Sequence, residues 1–219
     1  LGNYLGNLFV RRILFVTDPG IIAAGWAGEL GKMLSARGIA VSFFSQVTPN
    51  PRDHEVMAGV AQYQEESCEA IVALGGGSAI DCAKGIGIVA ANGGHILDYE
   101  SVDTVEFPCP PLACIPTTAG SSADVSQFAI ILDTVRHTKI AIISKTVVPD
   151  IAFVDPEPTY TMDPFLTACT GVDALTHAVE ALVSNAASPI TDLHALEAIR
   201  LVFAHLVGAV ENPHHPESR

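Results

Sequence analysis

The stretch AIVALGGGSAIDCAK, residues 70–84, decides how the chain is read. Residues 70–74 are an unbroken apolar run of strand length, Gly75, Gly76 and Gly77 follow at once, and Ser78 opens a segment with helical spacing. Glycines between a strand and a helix let a pyrophosphate approach the backbone, while the helix offers its unpaired N–H groups and positive dipole end. The same residues also fit a tight turn in which Ser78 caps the helix and no ligand binds. The spacing is not GxGxxG, so the ordinary dinucleotide fingerprint is absent.

Working outward, strand-like and helix-like segments alternate over residues 1–155. Arg12–Val16 reads as a buried strand, 21–37 as a helix closed by Gly38, and 41–45 as a second strand. The turn TPNP, residues 48–51, precedes a helical stretch over 53–66. Beyond the glycine turn, Leu112–Pro116 and residues 128–132, 139–143 and 151–154 supply further strands. Such alternation with short connections predicts an α/β fold, a doubly wound parallel sheet with right-handed crossovers. After Asp155 the pattern becomes helical, so residues 156–219 are expected to begin a separate helical domain. Two prolines and a Thr-Tyr-Thr sequence mark the boundary. The chain starts at Leu1 without Met and its helical part stops at ENPHHPESR without closure; truncation at both ends is expected.

Nearly half of the 219 residues are apolar and 16% are charged, with mean hydropathy +0.37, as suits strands covered on both faces. No uninterrupted apolar run reaches the roughly 20 residues that cross a bilayer, and no signal peptide is visible. The net charge of −13 leaves no basic stripe for phosphate backbones, which argues against nucleic-acid and anionic-membrane partners. Five cysteines without a CxxC pair imply free thiols in a reducing, cytoplasmic setting.

Three further places carry chemistry. Asp18, in VTDPG after the first strand, suits hydrogen bonds from ribose hydroxyls and repulsion of a 2′-phosphate, and equally suits a helix-capping Asp-Pro turn. IPTTAGSSADV, residues 115–125, brings Thr117, Thr118 and Ser121 to the expected carboxyl edge of the sheet, where a phosphate or ribose would bind; a Ser/Thr-rich surface loop is the plain alternative. In TGVDALTHAVEA, Asp173 and His177 lie four residues apart, on one face of a helix. A carboxylate and an imidazole suit Fe²⁺ or Zn²⁺, although such pairs are often surface hydrogen bonds; burial would favour the metal. His54, His95, His137, His194 and His205 stand isolated, His214 and His215 lie in a polar tail expected to be solvated, and Cys109 and Cys114 lack a nearby base.

Taken in order, VTDPG, TPNP, GGGSAIDCAK, IPTTAGSSADV, KIAIISKTVVPDIAFVDP and TGVDALTHAVEA resemble the iron-containing alcohol dehydrogenase family, over essentially the whole chain. The resemblance implies the dehydroquinate synthase-like fold, with an NAD-binding α/β domain and an all-helical domain around an interdomain cleft. It further implies hydride transfer between a small primary alcohol, or its aldehyde, and NAD, assisted by a divalent metal. By the same resemblance Asp18 selects NAD, Gly76, Gly77 and Ser78 hold the pyrophosphate, and Thr117, Thr118 and Ser121 form a second nucleotide segment. Lys139 matches a lysine near the nicotinamide ribose, Asp173 and His177 match the first two of four metal ligands, and a homodimer or larger homo-oligomer is implied. Two departures stand out: Asp124 replaces a longer Glu, and the other two metal ligands are not in the chain, so the chain alone is expected to be inactive. A glycerol or polyol dehydrogenase and a non-catalytic nucleotide sensor on the same fold are the alternatives.

Overall fold

The first strand–helix unit sets the pattern for the rest. In a computed structural model, which describes residues 1–215, 217 and 218, a short helix α1 (Gly2–Asn7) precedes strand β1 (Arg12–Val16). The expected single helix over 21–37 is two, α2 (Pro19–Ala23) and α3 (Trp26–Ser35), because Gly25 takes a left-handed φ of 90° between them. Then follow β2 (Ala40–Phe44), α4 (Asp53–Glu65), β3 (Ala70–Gly75) and α5 (Gly77–Asn92). The remaining strands are β4 (Ser101–Val102), β5 (Leu112–Pro116), β6 (Phe128–Asp133), β7 (Thr138–Ile143) and β8 (Ile151–Ala152). Two long helices, α6 (Pro164–Val183) and α7 (Pro189–Glu211), complete the chain.

The chain divides into two compact units, Leu1–Pro116 with Ala123–Val154, and Thr117–Ser122 with Asp155–Arg219. Residues 117–122, expected in the first domain, thus group with the helices. Pro216 and Arg219, in the tail expected to be solvated, lie outside the described residues.

In the first unit five parallel strands run in the order β2-β1-β3-β5-β8. Alternate residues of β1 enter opposite cores: Leu14 and Val16 join one with Ile80 and Ile86 of α5, while Ile13 and Phe15 join the other with Leu5 of α1 and Leu34 of α3. That is the period of two of a strand covered on both faces. Each fully buried Leu, Ile or Phe here stabilises the fold by about 1.5–3 kcal/mol relative to exposure.

One expectation is corrected. The segments at 128–132 and 139–143 do not enter the parallel sheet. They pair antiparallel as β6 and β7 in a separate three-stranded sheet of order β4-β7-β6. The four residues between them are too few for a parallel crossover, which needs a dozen or more. Asp133 builds the turn instead, accepting from the Val135 and Arg136 amides at 2.8 and 2.9 Å. The apolar content of these strands had suggested the buried sheet. Their inner residues Ala129, Ile131, Ile140 and Ile142 are indeed buried, but against the α5 side of the core.

In the second unit each long helix is started by an Asp or Ser cap followed by Pro: Asp163 accepts from the Leu166 amide and Ser188 from the Thr191 amide. Helix α7 has the length and hydropathy of a membrane span, with a mean of 1.5 over its most apolar window, of which 11% is buried. It also carries Asp192, His194, Glu197 and Arg200, and its Arg200 pairs with Glu197 at 2.6 Å.

Candidate functional site

At the carboxyl edge of the parallel sheet, β1 and β3 are neighbours, and from them the sheet is extended in opposite directions by β2 and β5. This is the switch point at which ligands bind in open α/β sheets. Asp18 follows β1 and the glycine turn ends β3, so the topology brings them together. The half-buried Asp18 divides its carboxylate between two tasks. Oδ1 accepts from the Ile21 amide at 3.0 Å and caps α2, while Oδ2 lies 3.1 Å from the point a Gly75 Cβ would occupy. The capping alternative is therefore real, and it leaves one oxygen facing the turn.

Gly75 has φ +156°, and a side chain there would also come within 2.7 Å of Ala79 Cβ. Only glycine fits. The reading of Ser78 as helix cap is corrected: Gly76 is the N-cap, no side chain caps the helix, and Ser78 stands second in α5. Its Oγ accepts instead from the Asn50 amide at 3.1 Å. Asn50, in the left-handed region at φ 58°, belongs to the TPNP turn, which buried Glu55 holds in place. The Glu55 carboxylate accepts from the Thr48 hydroxyl at 2.7 Å and from the Thr48 and Arg52 amides at 3.3 and 3.1 Å. The sequence marks this segment only as the turn that ends a strand ahead of a helix; its two prolines flanking an Asn are the signal that a shaped turn is needed. Beside Asp18, the fully buried Thr17 hydroxyl has no hydrogen-bond partner among the described residues. A turn that admits no Cβ, an uncapped helix start and a free carboxylate oxygen together fit a dinucleotide.

The second half of the GGGSAIDCAK block behaves differently. Lys84 is fully buried, and its ammonium donates to the Ser126 carbonyl at 2.8 Å, the Ser126 hydroxyl at 3.1 Å and the Phe128 carbonyl at 2.8 Å. Burial pushes the Asp81 carboxyl up to about 7, against the opposing pull of Lys84 and of the Ile130 amide. Neither residue was singled out in the sequence. Lys139, expected near a ribose, is exposed on β7 opposite Leu132.

In the second unit, Thr117 is buried and Thr118 and Ser121 are half-buried. Gly120 packs so closely on α6 that a Cβ would lie 2.6 Å from the Thr170 carbonyl oxygen. The hydroxyl-rich segment thus rests one turn before Asp173. The Asp173 Oδ1 and His177 Nε2 atoms are 3.7 Å apart, with side chains 47% and 49% exposed. Two ligands about 2.1 Å from one tetrahedral ion lie about 3.4 Å apart, so the pair fits a shared divalent ion as half of a donor set. The burial that would favour a metal over a surface ion pair is absent. No group of three or more His, Cys, Asp or Glu suited to a metal occurs among the described residues. The five cysteines are free, and burial raises the Cys109 and Cys114 thiols to about 12, far from the thiolate a nucleophile needs.

A doubly wound sheet with a shaped glycine turn and a carboxylate at its switch point places the chain among α/β proteins whose ligand site lies at that edge of the sheet. Comparison with known proteins narrows this. Residues 1–156 match the family model "Iron-containing alcohol dehydrogenase", and residues 167–219 match "Fe-containing alcohol dehydrogenase family, C-terminal". The chain belongs to the iron-containing alcohol dehydrogenase family. It is 47% identical to Alcohol dehydrogenase 4 of Schizosaccharomyces pombe over 95% of its own length and 50% of the relative's. It is 40% identical to the NAD-dependent methanol dehydrogenase of Bacillus methanolicus, over 100% of its length and 58% of the relative's. Among solved structures, that of a 1,3-propanediol oxidoreductase superposes with TM-score 0.96 at 38% identity, covering 100% of this chain and 57% of that one. The chain thus spans little more than half the length of the proteins it matches.

Proposed function

We propose that the protein carrying this chain interconverts small primary alcohols and their aldehydes, with NAD as hydride carrier and a divalent ion, Fe²⁺ or Zn²⁺, at the alcohol oxygen. When bound, NAD supplies the hydride acceptor and the ion a Lewis acid. The chain's own part is orientation and charge placement. Asp18 Oδ2 accepts from the adenosine ribose hydroxyls and repels a 2′-phosphate. The backbone at Gly76, Gly77 and Ser78 receives the pyrophosphate, with the α5 dipole behind it. Thr117, Thr118 and Ser121 bind the nucleotide from the second segment, Lys139 reaches the nicotinamide ribose, and Asp173 with His177 hold the ion.

The observation that carries this reading is that Asp18 Oδ2 lies 3.1 Å from the point a Gly75 Cβ would occupy. It leaves a carboxylate oxygen beside a position that only glycine fits. The printed NAD dependence of the methanol dehydrogenase relative supports the choice of cofactor. Free thiols support a cytoplasmic setting, and family resemblance extends the proposal to a homodimer or larger assembly. The test is NADH formation from a panel of short primary alcohols and polyols by the protein as its gene encodes it. It is loaded anaerobically with Fe²⁺ or Zn²⁺ and compared with His177→Ala. Metal-dependent turnover lost in the variant is expected. NAD binding without oxidation of any alcohol under either metal would replace this reading with nucleotide sensing.

A further inference from the structure

Strand β6 is the edge of its sheet among the described residues: β7 is the strand that pairs with it, and a single isolated bridge joins its Leu132 to Arg52. In an antiparallel strand alternate residues turn their N–H and C=O to the same side, so Phe128, Ile130 and Leu132 face outward together. An open edge of this kind leaves donors and acceptors unpaired and lets the register slip. Here all three positions are engaged, and none by a strand. The Phe128 carbonyl accepts from Lys84 Nζ at 2.8 Å, the Leu132 amide donates to the Pro51 carbonyl at 2.8 Å, and between them the Ile130 amide faces the Asp81 carboxyl and favours its ionised form. Lys84 is matched in number as well: an ammonium has three N–H donors, and it meets three acceptors, two of them on Ser126 just ahead of the strand. Burial lowers the pKa of the Lys84 ammonium, and the neighbouring Asp81, Cys114 and Asp124 groups counter that only in part.

Both sources of these groups also shape the glycine turn. Asp81 and Lys84 lie on α5, whose first turn is Gly77 and Ser78, and Pro51 follows Asn50, whose amide is bonded to the Ser78 hydroxyl. A continuous path therefore runs from Ser78 through Asn50 and Pro51 to Leu132, and Lys139 lies directly across the hairpin from Leu132. We propose that Asp81 and Lys84 act as a surrogate strand that fixes the register of the β6–β7 hairpin against the glycine turn, making Lys84 a positioning residue for Lys139. The proposal rests on the reading that Lys139 serves the nicotinamide half of NAD, and it assigns the DCAK half of the motif a task separate from phosphate binding.

The test uses the protein as its gene encodes it, with Lys84→Met, Lys84→Gln, Asp81→Asn, Lys139→Ala and the double variant Lys84→Met with Lys139→Ala. ADP-ribose, which lacks the nicotinamide ring, reports on the glycine turn and Asp18. We expect Lys84→Met to bind ADP-ribose within about twofold of the unaltered protein while kcat falls about a hundredfold, the scale of a displaced positioning group. The double variant should lose no more kcat than the worse single one, because both changes remove the same contribution. Hydrogen exchange should quicken at Phe128–Asp133 and remain slow at β3. Should Lys84→Met fail to fold, Lys84→Gln, which keeps amide donors, and Asp81→Asn carry the same comparison with smaller losses. Additive losses in the double variant, or unchanged kcat and β6 exchange in the single ones, overturn the clamp. Absence of ADP-ribose binding in the unaltered protein would instead overturn the dehydrogenase reading.

Discussion

The two places that carry chemistry are built to different standards. Around the glycine turn several side chains are held by others: Asp18 caps a helix while facing Gly75, Ser78 is bonded to Asn50, and Glu55 anchors the turn that bears Asn50. Asp173 and His177 stand half exposed on α6 with a 3.7 Å separation as their recorded contact. The helices also carry large apolar side chains outward, including Phe165, Val183, Ile190 and Phe203, whereas the sheet buries Phe15, Ile71 and Ile86 completely. The difference teaches that the nucleotide end is preorganised by its own unit, while the ion-binding pair is presented rather than preorganised.

The comparison breaks most decisively at Gly75. Gly75→Val forces a side chain against Ala79 and Asp18 at a φ that L residues rarely adopt. NAD binding should weaken by more than about a hundredfold, or roughly 2.7 kcal/mol, as titration calorimetry would measure. Comparable binding by the variant would mean that the nucleotide does not use this turn. The next largest effect contrasts the two cores. Ile86→Ala, in a site with no exposure, should cost about 2–5 kcal/mol in denaturant unfolding, and Val183→Ala, mostly exposed, less than about 0.5 kcal/mol. Similar losses at both would show that the helical unit is as well packed as the sheet.

Much of this contrast was legible in the sequence, for physical reasons that can be named. Continuous apolar runs such as residues 70–74 can only be doubly covered strands, and the change from period two to helical spacing after Asp155 is equally plain. What stayed hidden depends on contacts distant along the chain. Residues 128–132 and 139–143 have the composition of buried parallel strands, and only the shortness of the six-residue stretch between them reveals the hairpin. Nothing in the sequence singles out Lys84, because Ser126 and Phe128, which surround its ammonium, lie more than forty residues away. Asp18 was open between cap and ligand because a carboxylate has two oxygens, and the fold uses them differently. For Asp173 and His177 the four-residue step makes them neighbours, but nothing local says what else faces them.

A pH series sharpens the comparison within the nucleotide unit. The Asp81 carboxyl is raised by burial from 3.8 to about 7, so the folded state holds a proton that the unfolded chain has released between those values. A raised carboxylate makes stability fall as pH rises through that window, with the full penalty present above it. Asp81→Asn keeps an acceptor for the Ile130 amide and cannot ionise. The variant's melting temperature relative to the unaltered protein should therefore climb from pH 4 to pH 7 and level off beyond. A difference that is flat with pH would mean that Asp81 is solvated enough to ionise normally.

The smallest expected effect lies at the other end of the comparison. With both partners about half exposed and 3.7 Å apart, the Asp173–His177 pair should contribute less than about 1 kcal/mol. His177→Ala should therefore leave the melting temperature of the metal-free protein within about 2 °C of the unaltered one. Added Fe²⁺ or Zn²⁺ should raise the melting temperature of the unaltered protein alone, because an ion bound only by the folded state stabilises it in proportion to its affinity. The two measurements separate structure from binding. A large loss without metal would make the pair a structural contact of α6, and an equal rise in both proteins on adding metal would put the ion elsewhere. A rise confined to the unaltered protein is the expected outcome for side chains held ready for a ligand and otherwise unused.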